Sequence, residues 1–168
     1  MRGVSKTASP VRIELSRDEK RVYRLFEHLS ANGPADWEDW RWQLRSRITA
    51  REALEKIVRL TKDEEKGLEE AGSKLAISIP PYFASLMDPD DPKCPIRMQC
   101  VPTRHELKVF PEEMMDPCGE EKYSPVHGLV HRYPDRVLFL VSEMCAMYCR
   151  YCTRSRMVGE NSRTLNTS

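Results

Sequence analysis

Apolar positions recur at helical spacing through the first half of the chain and lose that rhythm near residue 80. Val22, Leu25, Phe26 and Leu29 follow Ser16-x-x-Glu19. In that pairing the serine side chain caps the first helical turn and the glutamate reaches back to the serine N–H. The pattern predicts a helix opening at Ser16 and stopped by Gly33. After Pro34, the segment ADWEDWRWQLRSRI sets Trp37, Trp40, Leu44 and Ile48 along one stripe. Thr49-x-x-Glu52 and Thr61-x-x-Glu64 repeat the capping signature, ahead of Leu54, Ile57 and Val58 and then of Leu68, Ala71 and Leu75. Three caps in register with three stripes predict a helical first half.

Pro80-Pro81 interrupts any continuing helix, and after a short apolar piece from Tyr82 to Met87 the stretch DPDDPKCP reads as a turn-rich loop. Pro102, Pro111, Pro117 and Pro125 keep the next segment irregular, apart from a short helix near Thr103 to Val109. HRYPDR then leads into Val137 to Val141, the most apolar run of the chain. A short continuous run of this kind is expected as a strand buried on both faces. No internal repeat or low-complexity tract is visible.

Composition narrows the classes. The 168 residues suit one ordinary domain, or a small domain with a fragment of another. The 27 basic and 26 acidic residues leave a net charge of +1, which argues against nucleic acid and against a membrane surface as partners. No apolar run approaches the ~20 residues that cross a bilayer. The N-terminus lacks the apolar core of a secretory signal. It has no acid before Glu14, a faint transit-peptide bias, but reads as a flexible tail over residues 1–15. A reducing cytosol is therefore expected, in which the six cysteines stay free or bind metal.

Cys145, Cys149 and Cys152 lie within eight residues, directly after the apolar run. Three thiolates holding three irons of a 4Fe–4S cube leave the fourth iron open for a ligand. A structural zinc site wants four ligands, usually as two pairs, and His127 or His131 would have to complete it from no regular spacing. A chance cluster is the third alternative. Cys94, Cys100 and Cys118 match no metal motif and read as structural or incidental thiols.

The spacing Cys-x3-Cys-x2-Cys, with Tyr151 before the last cysteine, resembles the signature of radical S-adenosylmethionine enzymes. Four stretches narrow the resemblance to the N-terminal part of the lysine 2,3-aminomutase family: WEDWRWQLRSRI, DPDDPKCPIRMQCVPTRHEL, SPVHGLVHRYPDRVLFLV and CAMYCRYCTRSRMVG. The resemblance implies an isomerase of the α/β class. It would be a partial β/α barrel of radical S-adenosylmethionine type, preceded by a helical domain. Residues 16–125 would be that domain with its Pro-rich connection, and 126–168 the first strand and cluster loop of a truncated barrel.

The resemblance also implies the site. Cys145, Cys149 and Cys152 would ligate a 4Fe–4S cluster. S-adenosylmethionine would chelate the open iron, with Tyr151 near its adenine, where relatives often carry histidine. Reduction by one electron from a partner reductant would release a 5′-deoxyadenosyl radical. Pyridoxal phosphate (PLP) would hold the substrate amino group as it moves from C2 to C3. Arg132, Tyr133 and Arg136 match positions that cradle the PLP phosphate, chemistry that guanidinium forks and a phenol suit. Arg154 matches the arginine that pairs with the substrate carboxylate.

Relatives tend to read Thr-Arg-Arg-Arg after the third cysteine, where this chain has Thr153, Arg154, Ser155 and Arg156, and Met157-Val158 replaces a pair that is often aromatic and small. By themselves these arginines would be read as solvated, Tyr133 as packing beneath a loop, His131 as structural and the tryptophans as packing. Few residues follow Cys152, and a partial barrel needs on the order of 200 more. In the family the PLP lysine and the acids that recognise a substrate amine lie in that part, so no catalytic residue is assigned here. The expectation is the N-terminal part of an enzyme interconverting L-lysine and L-β-lysine, cytoplasmic and homo-oligomeric in full-length form, with this segment inactive by itself. The alternatives are a related enzyme acting on glutamate or another amino acid, and a non-catalytic iron–sulfur or zinc-binding fragment.

Overall fold

The computed structural model describes residues 14–70, 76–142 and 144–158. Residues 1–13 of the expected tail, Ala71 and Leu75 of the third stripe, and residues 159–168 lie outside them. Of the tail, Leu15 is described, and it is buried in the core.

Helix α1 (Arg17–Phe26) opens on the expected capping box: the Glu19 N–H donates to Ser16 Oγ at 3.3 Å and the Ser16 N–H to Glu19 Oε2 at 2.7 Å. Val22 and Tyr23 face inward. The helix ends seven residues before Gly33, in a 3-10 turn over Glu27–Leu29. Gly33, at φ 65°, instead opens a second 3-10 turn over Gly33–Glu38, where its left-handed backbone favours glycine. Extended backbone at Asp39 then breaks the expected stripe, and Asp39 caps α2 (Trp40–Arg45). The break changes which tryptophan is buried. Trp37 and Trp42 pack together and against Tyr23, with ring centroids 5.6–6.4 Å apart, while Trp40 is exposed.

Helix α3 (Arg51–Glu55) starts from Ala50 without a side-chain cap, so the Thr49 capping box does not form. Ile48 is held extended by an antiparallel bridge to Ile79, N–H to O at 2.8 and 3.1 Å, which favours a later helix start. The Thr61 box does form, at the head of α4 (Lys62–Glu70). Pro81 and Pro95 sit at the first positions of α5 (Pro81–Ser85) and α6 (Pro95–Met98), where a missing N–H costs nothing. The helix expected near Thr103 is a 3-10 turn, Arg104–Leu107, closed by Thr103 and Glu106. Helix α1 packs on α5, and α4 on the Arg104–Leu107 turn.

One core joins these elements, from Leu15 and Val22 through Trp42, Ile48, Leu54 and Ile79 to Cys100 and Val101. Inside it, Arg97 and Glu64 form a buried ion pair.

Beyond the core the chain forms a hairpin, β1 (Leu129–Tyr133) and β2 (Arg136–Phe139), paired antiparallel with Leu129 opposite Phe139 and Tyr133 opposite Arg136. The run Val137 to Val141 is thus a strand over most of its length, but it is not buried. Val137, Phe139 and Val141 are 51–63% exposed, because no second layer covers the hairpin among the described residues. The architecture is mixed, helices with a small sheet, compatible with the α/β class. No described helix is long and apolar enough to cross a membrane.

Candidate functional site

The segment from Val141 to Cys152 has neither helix nor strand among its described residues, so distant contacts set its shape. The Tyr148 N–H donates to Ser78 O at 3.0 Å and the Arg150 N–H to Gln99 O at 2.8 Å. Cys149 therefore sits between two peptides anchored to the helical layer. Met147 packs against the core. Arg47 Nη1 donates to Cys145 O at 2.9 Å. The Arg150 guanidinium meets Glu106 Oε2 through Nε at 2.8 Å and Nη2 at 2.7 Å.

All six cysteines are free. Cys145 is exposed and Cys149 and Cys152 are half-buried. The Cys152 N–H donates to Cys149 O at 3.2 Å, and the Cys145 thiol donates to Met147 O at 3.1 Å. Turned this way, the three thiols do not converge: among the described residues no three metal-binding side chains form a ready site. The donor set still suits a cluster. Three unpaired thiols on one loop, with the middle one fixed, match the soft ligands that iron–sulfur clusters take. Cys94 and Cys100 are buried in the helical layer, and burial above all pushes the Cys100 thiol up to about 12.

Tyr151 is exposed, with its hydroxyl donating to Gln99 Oε1 at 3.2 Å. The charge of Cys149 raises its pKa above the ordinary phenol value.

The residues matched to phosphate binding lie on the hairpin, and HRYPDR is its turn, a role the central Pro134-Asp135 could have signalled. Tyr133 and Arg136 come together, guanidinium over ring at 5.6 Å. Arg136 also pairs with Asp135, Nη2 to Oδ2 at 2.8 Å, which holds the Asp135 carboxyl below its usual range. Arg132 lies elsewhere, donating to Cys118 O at 2.9 Å and resting 5.6 Å from the Tyr123 ring. The turn does not bring all three together.

Arg154 grips the buried Glu120 side-on, Nε to Oε1 and Oε2 at 3.0 and 3.1 Å and Nη2 to Oε1 at 2.5 Å. That contact, more than any other, raises its pKa. Its Nη1 makes no hydrogen bond among the described residues, leaving one edge of the fork to meet a carboxylate. Arg156 pairs with Asp116 at 3.2 Å and Glu121 at 3.3 Å, so the 116–121 segment anchors both arginines after the last cysteine. Arg47, Gln99, Glu106 and Glu120 escaped the sequence reading. Glu106 had a local signal, the Thr103-x-x-Glu106 cap, but nothing local tied it to the cysteines.

No protein-family model matches the chain. It is 48% identical over 145 residues to the L-lysine 2,3-aminomutase of Clostridium subterminale, covering 86% of this chain and 34% of that protein. To the L-lysine 2,3-aminomutase of Bacillus subtilis (strain 168) it is 51% identical over 124 residues, 74% of this chain and 26% of the other. To the glutamate 2,3-aminomutase of Clostridioides difficile (strain 630) it is 43% identical over 141 residues, 84% and 33%. The chain spans about a third of the length of the curated relatives it matches. It is a partial member of the lysine 2,3-aminomutase family.

Proposed function

We propose that this chain supplies the cluster loop and part of the cofactor surface of a radical S-adenosylmethionine, PLP-dependent 2,3-aminomutase that interconverts L-lysine and L-β-lysine. The observation that carries the reading is the loop itself: three free thiols within eight residues, the middle one pinned between anchored peptides. Cys145, Cys149 and Cys152 would hold a 4Fe–4S cluster. When bound, the cluster with S-adenosylmethionine supplies a carbon-centred radical and PLP holds the migrating amino group.

The chain's own residues bind and orient. Tyr151 lines the loop beside Cys149. Tyr133 and Arg136 offer a phenol and a cation to a phosphate, with Arg132 joining them if it leaves the Cys118 carbonyl. Arg154 presents Nη1 to a substrate carboxylate while Glu120 holds its other edge. In this reading residues 16–125 form the helical domain and residue 126 onward begins a β/α barrel. A one-electron reductant and further copies of the chain are its partners, and the cytoplasm is its compartment. The glutamate enzyme of Clostridioides difficile supports a second reading, in which glutamate is the substrate.

Anaerobic reconstitution with iron and sulfide, followed by metal analysis and electron paramagnetic resonance, tests the cluster. The expected result is a reduced-cluster signal that S-adenosylmethionine alters and that Cys145→Ala, Cys149→Ala and Cys152→Ala each abolish. Stoichiometric zinc with no cluster signal would overturn the reading. In the enzyme containing this segment, turnover of L-lysine against L-glutamate decides the substrate.

A further inference from the structure

We propose that Glu106 is a positioning residue for the cysteine loop, acting through Arg150; this rests on the cluster reading above. Glu106 divides its carboxylate between two tasks. Oε1 accepts the Thr103 N–H at 3.0 Å, which fixes the side chain on its own 3-10 turn. Oε2 takes both Nε and Nη2 of Arg150. Arg150 is the residue immediately after Cys149, and its side chain is 15% exposed against 28% for Glu106, so water still reaches the carboxylate side of the contact.

The loop has no helix or strand of its own, so its conformation depends on what grips it. Its backbone is gripped at Cys145 O by Arg47, at the Tyr148 N–H by Ser78 and at the Arg150 N–H by Gln99. Among the described residues Glu106 is the one anionic grip on the loop, and it fixes the side chain that continues the Gln99 contact. Without it, the Arg150 guanidinium loses its counter-charge and the peptide beyond Cys149 loses a second hold. Groups that orient a ligand from behind are commonly worth 10–100-fold in metal affinity, and a ligand loop without regular structure is where such support matters most.

The test compares anaerobically reconstituted wild type with Glu106→Ala, Glu106→Gln and Arg47→Ala. It reads iron and sulfide per chain, loss of cluster absorbance under a chelator, and the electron paramagnetic resonance line shape. Thermal unfolding of each apo chain reports folding separately. Glu106→Ala is expected to release its cluster about 10–100-fold faster than wild type, with an altered line shape. Glu106→Gln keeps an acceptor for Arg150 and should recover part of the loss. Arg47→Ala, at the other end of the loop, should weaken retention independently and serves as the comparison, while Glu106→Gln carries the test if Glu106→Ala fails to fold. Wild-type retention and line shape in folded Glu106→Ala, or in Glu106→Gln where Glu106→Ala does not fold, overturn the proposal. A wild-type chain that takes up no cluster overturns the functional reading instead.

Discussion

Arg97, with no exposed surface, meets Glu64 through two parallel bonds, Nε to Oε1 at 2.8 Å and Nη2 to Oε2 at 2.6 Å. The pair does more than cancel charge. Glu64 Oε2 also accepts the Thr61 N–H and hydroxyl, which caps α4, and Arg97 donates to Arg59 O at 2.7 Å. One contact thus ties the start of α4 to α6 and to the turn after α3. Removing one partner strands the other charge where water cannot reach it. Arg97→Ala should cost about 3–5 kcal/mol of unfolding free energy, read by urea denaturation. The double variant Arg97→Met with Glu64→Leu should recover much of that loss, because an apolar pair strands no charge.

Asp36 predicts how stability depends on pH. Its carboxylate accepts from the Asn32 N–H at 3.0 Å, the Asn32 side chain at 2.8 Å, the Ser30 hydroxyl at 2.8 Å and the Ala31 N–H at 2.6 Å. These bonds, the Asn32 N–H foremost, hold its pKa well below the ordinary 3.8. The folded value is depressed, so the stability is fully present above the unfolded value and is lost as pH falls toward the folded one. Asp36→Asn should unfold at lower urea than wild type near neutral pH. The gap should narrow from about pH 5 downward. A gap that is constant or widens on acidification would contradict the assignment.

The sequence carried what neighbouring residues decide by themselves. Ser16 with Glu19 and Thr61 with Glu64 cap their helices because each pair needs only its own turn. Thr49 with Glu52 has the same letters and fails, because Ile48 is claimed by Ile79, thirty-one residues away. Trp42 rather than Trp40 enters the core because Asp39 breaks the helix between Trp37 and the later tryptophans. The same division holds at the site. Cysteine spacing is local and legible, whereas the grips on the loop come from Arg47, Ser78, Gln99 and Glu106, 44–98 residues from their partners or reaching a backbone N–H across the fold. The exposure of Val137 to Val141 was equally illegible, since burial of an apolar run depends on layers the run does not encode.

Thiol reactivity separates the two classes of cysteine. Cys100 is buried and its thiol is pushed up to about 12, so almost none of it is thiolate at neutral pH. Cys145 is exposed, and Cys149 and Cys152 are half-buried. In the native, metal-free chain N-ethylmaleimide should label Cys145 first, then Cys149 and Cys152, and leave Cys100 untouched until the chain unfolds. Mass spectrometry of digested peptides against time reads that order. Loading the cluster should protect the three loop cysteines together. Labelling of Cys100 at the rate of Cys145 would show that the helical layer opens far more readily than its packing implies.

Gly67 links the helical packing to the cysteine loop. A Cβ built on it would stand 2.7 Å from the Thr103 carbonyl carbon and 2.8 Å from the Thr103 Cα, both backbone atoms that cannot swing aside. Glycine is what lets α4 approach the turn that carries Glu106. By intrinsic propensity alone, alanine in mid-helix should stabilise α4 by about 1 kcal/mol. Forcing the helix off the 103–107 turn should cost about 1–3 kcal/mol, so Gly67→Ala is expected to be net destabilising in urea denaturation. The displaced turn would carry Glu106 away from Arg150, and a reconstituted Gly67→Ala chain should therefore shed its cluster faster than wild type under a chelator. A Gly67→Ala chain more stable than wild type would mean that the turn yields at little cost, and that the close packing of α4 does not hold Glu106 in place.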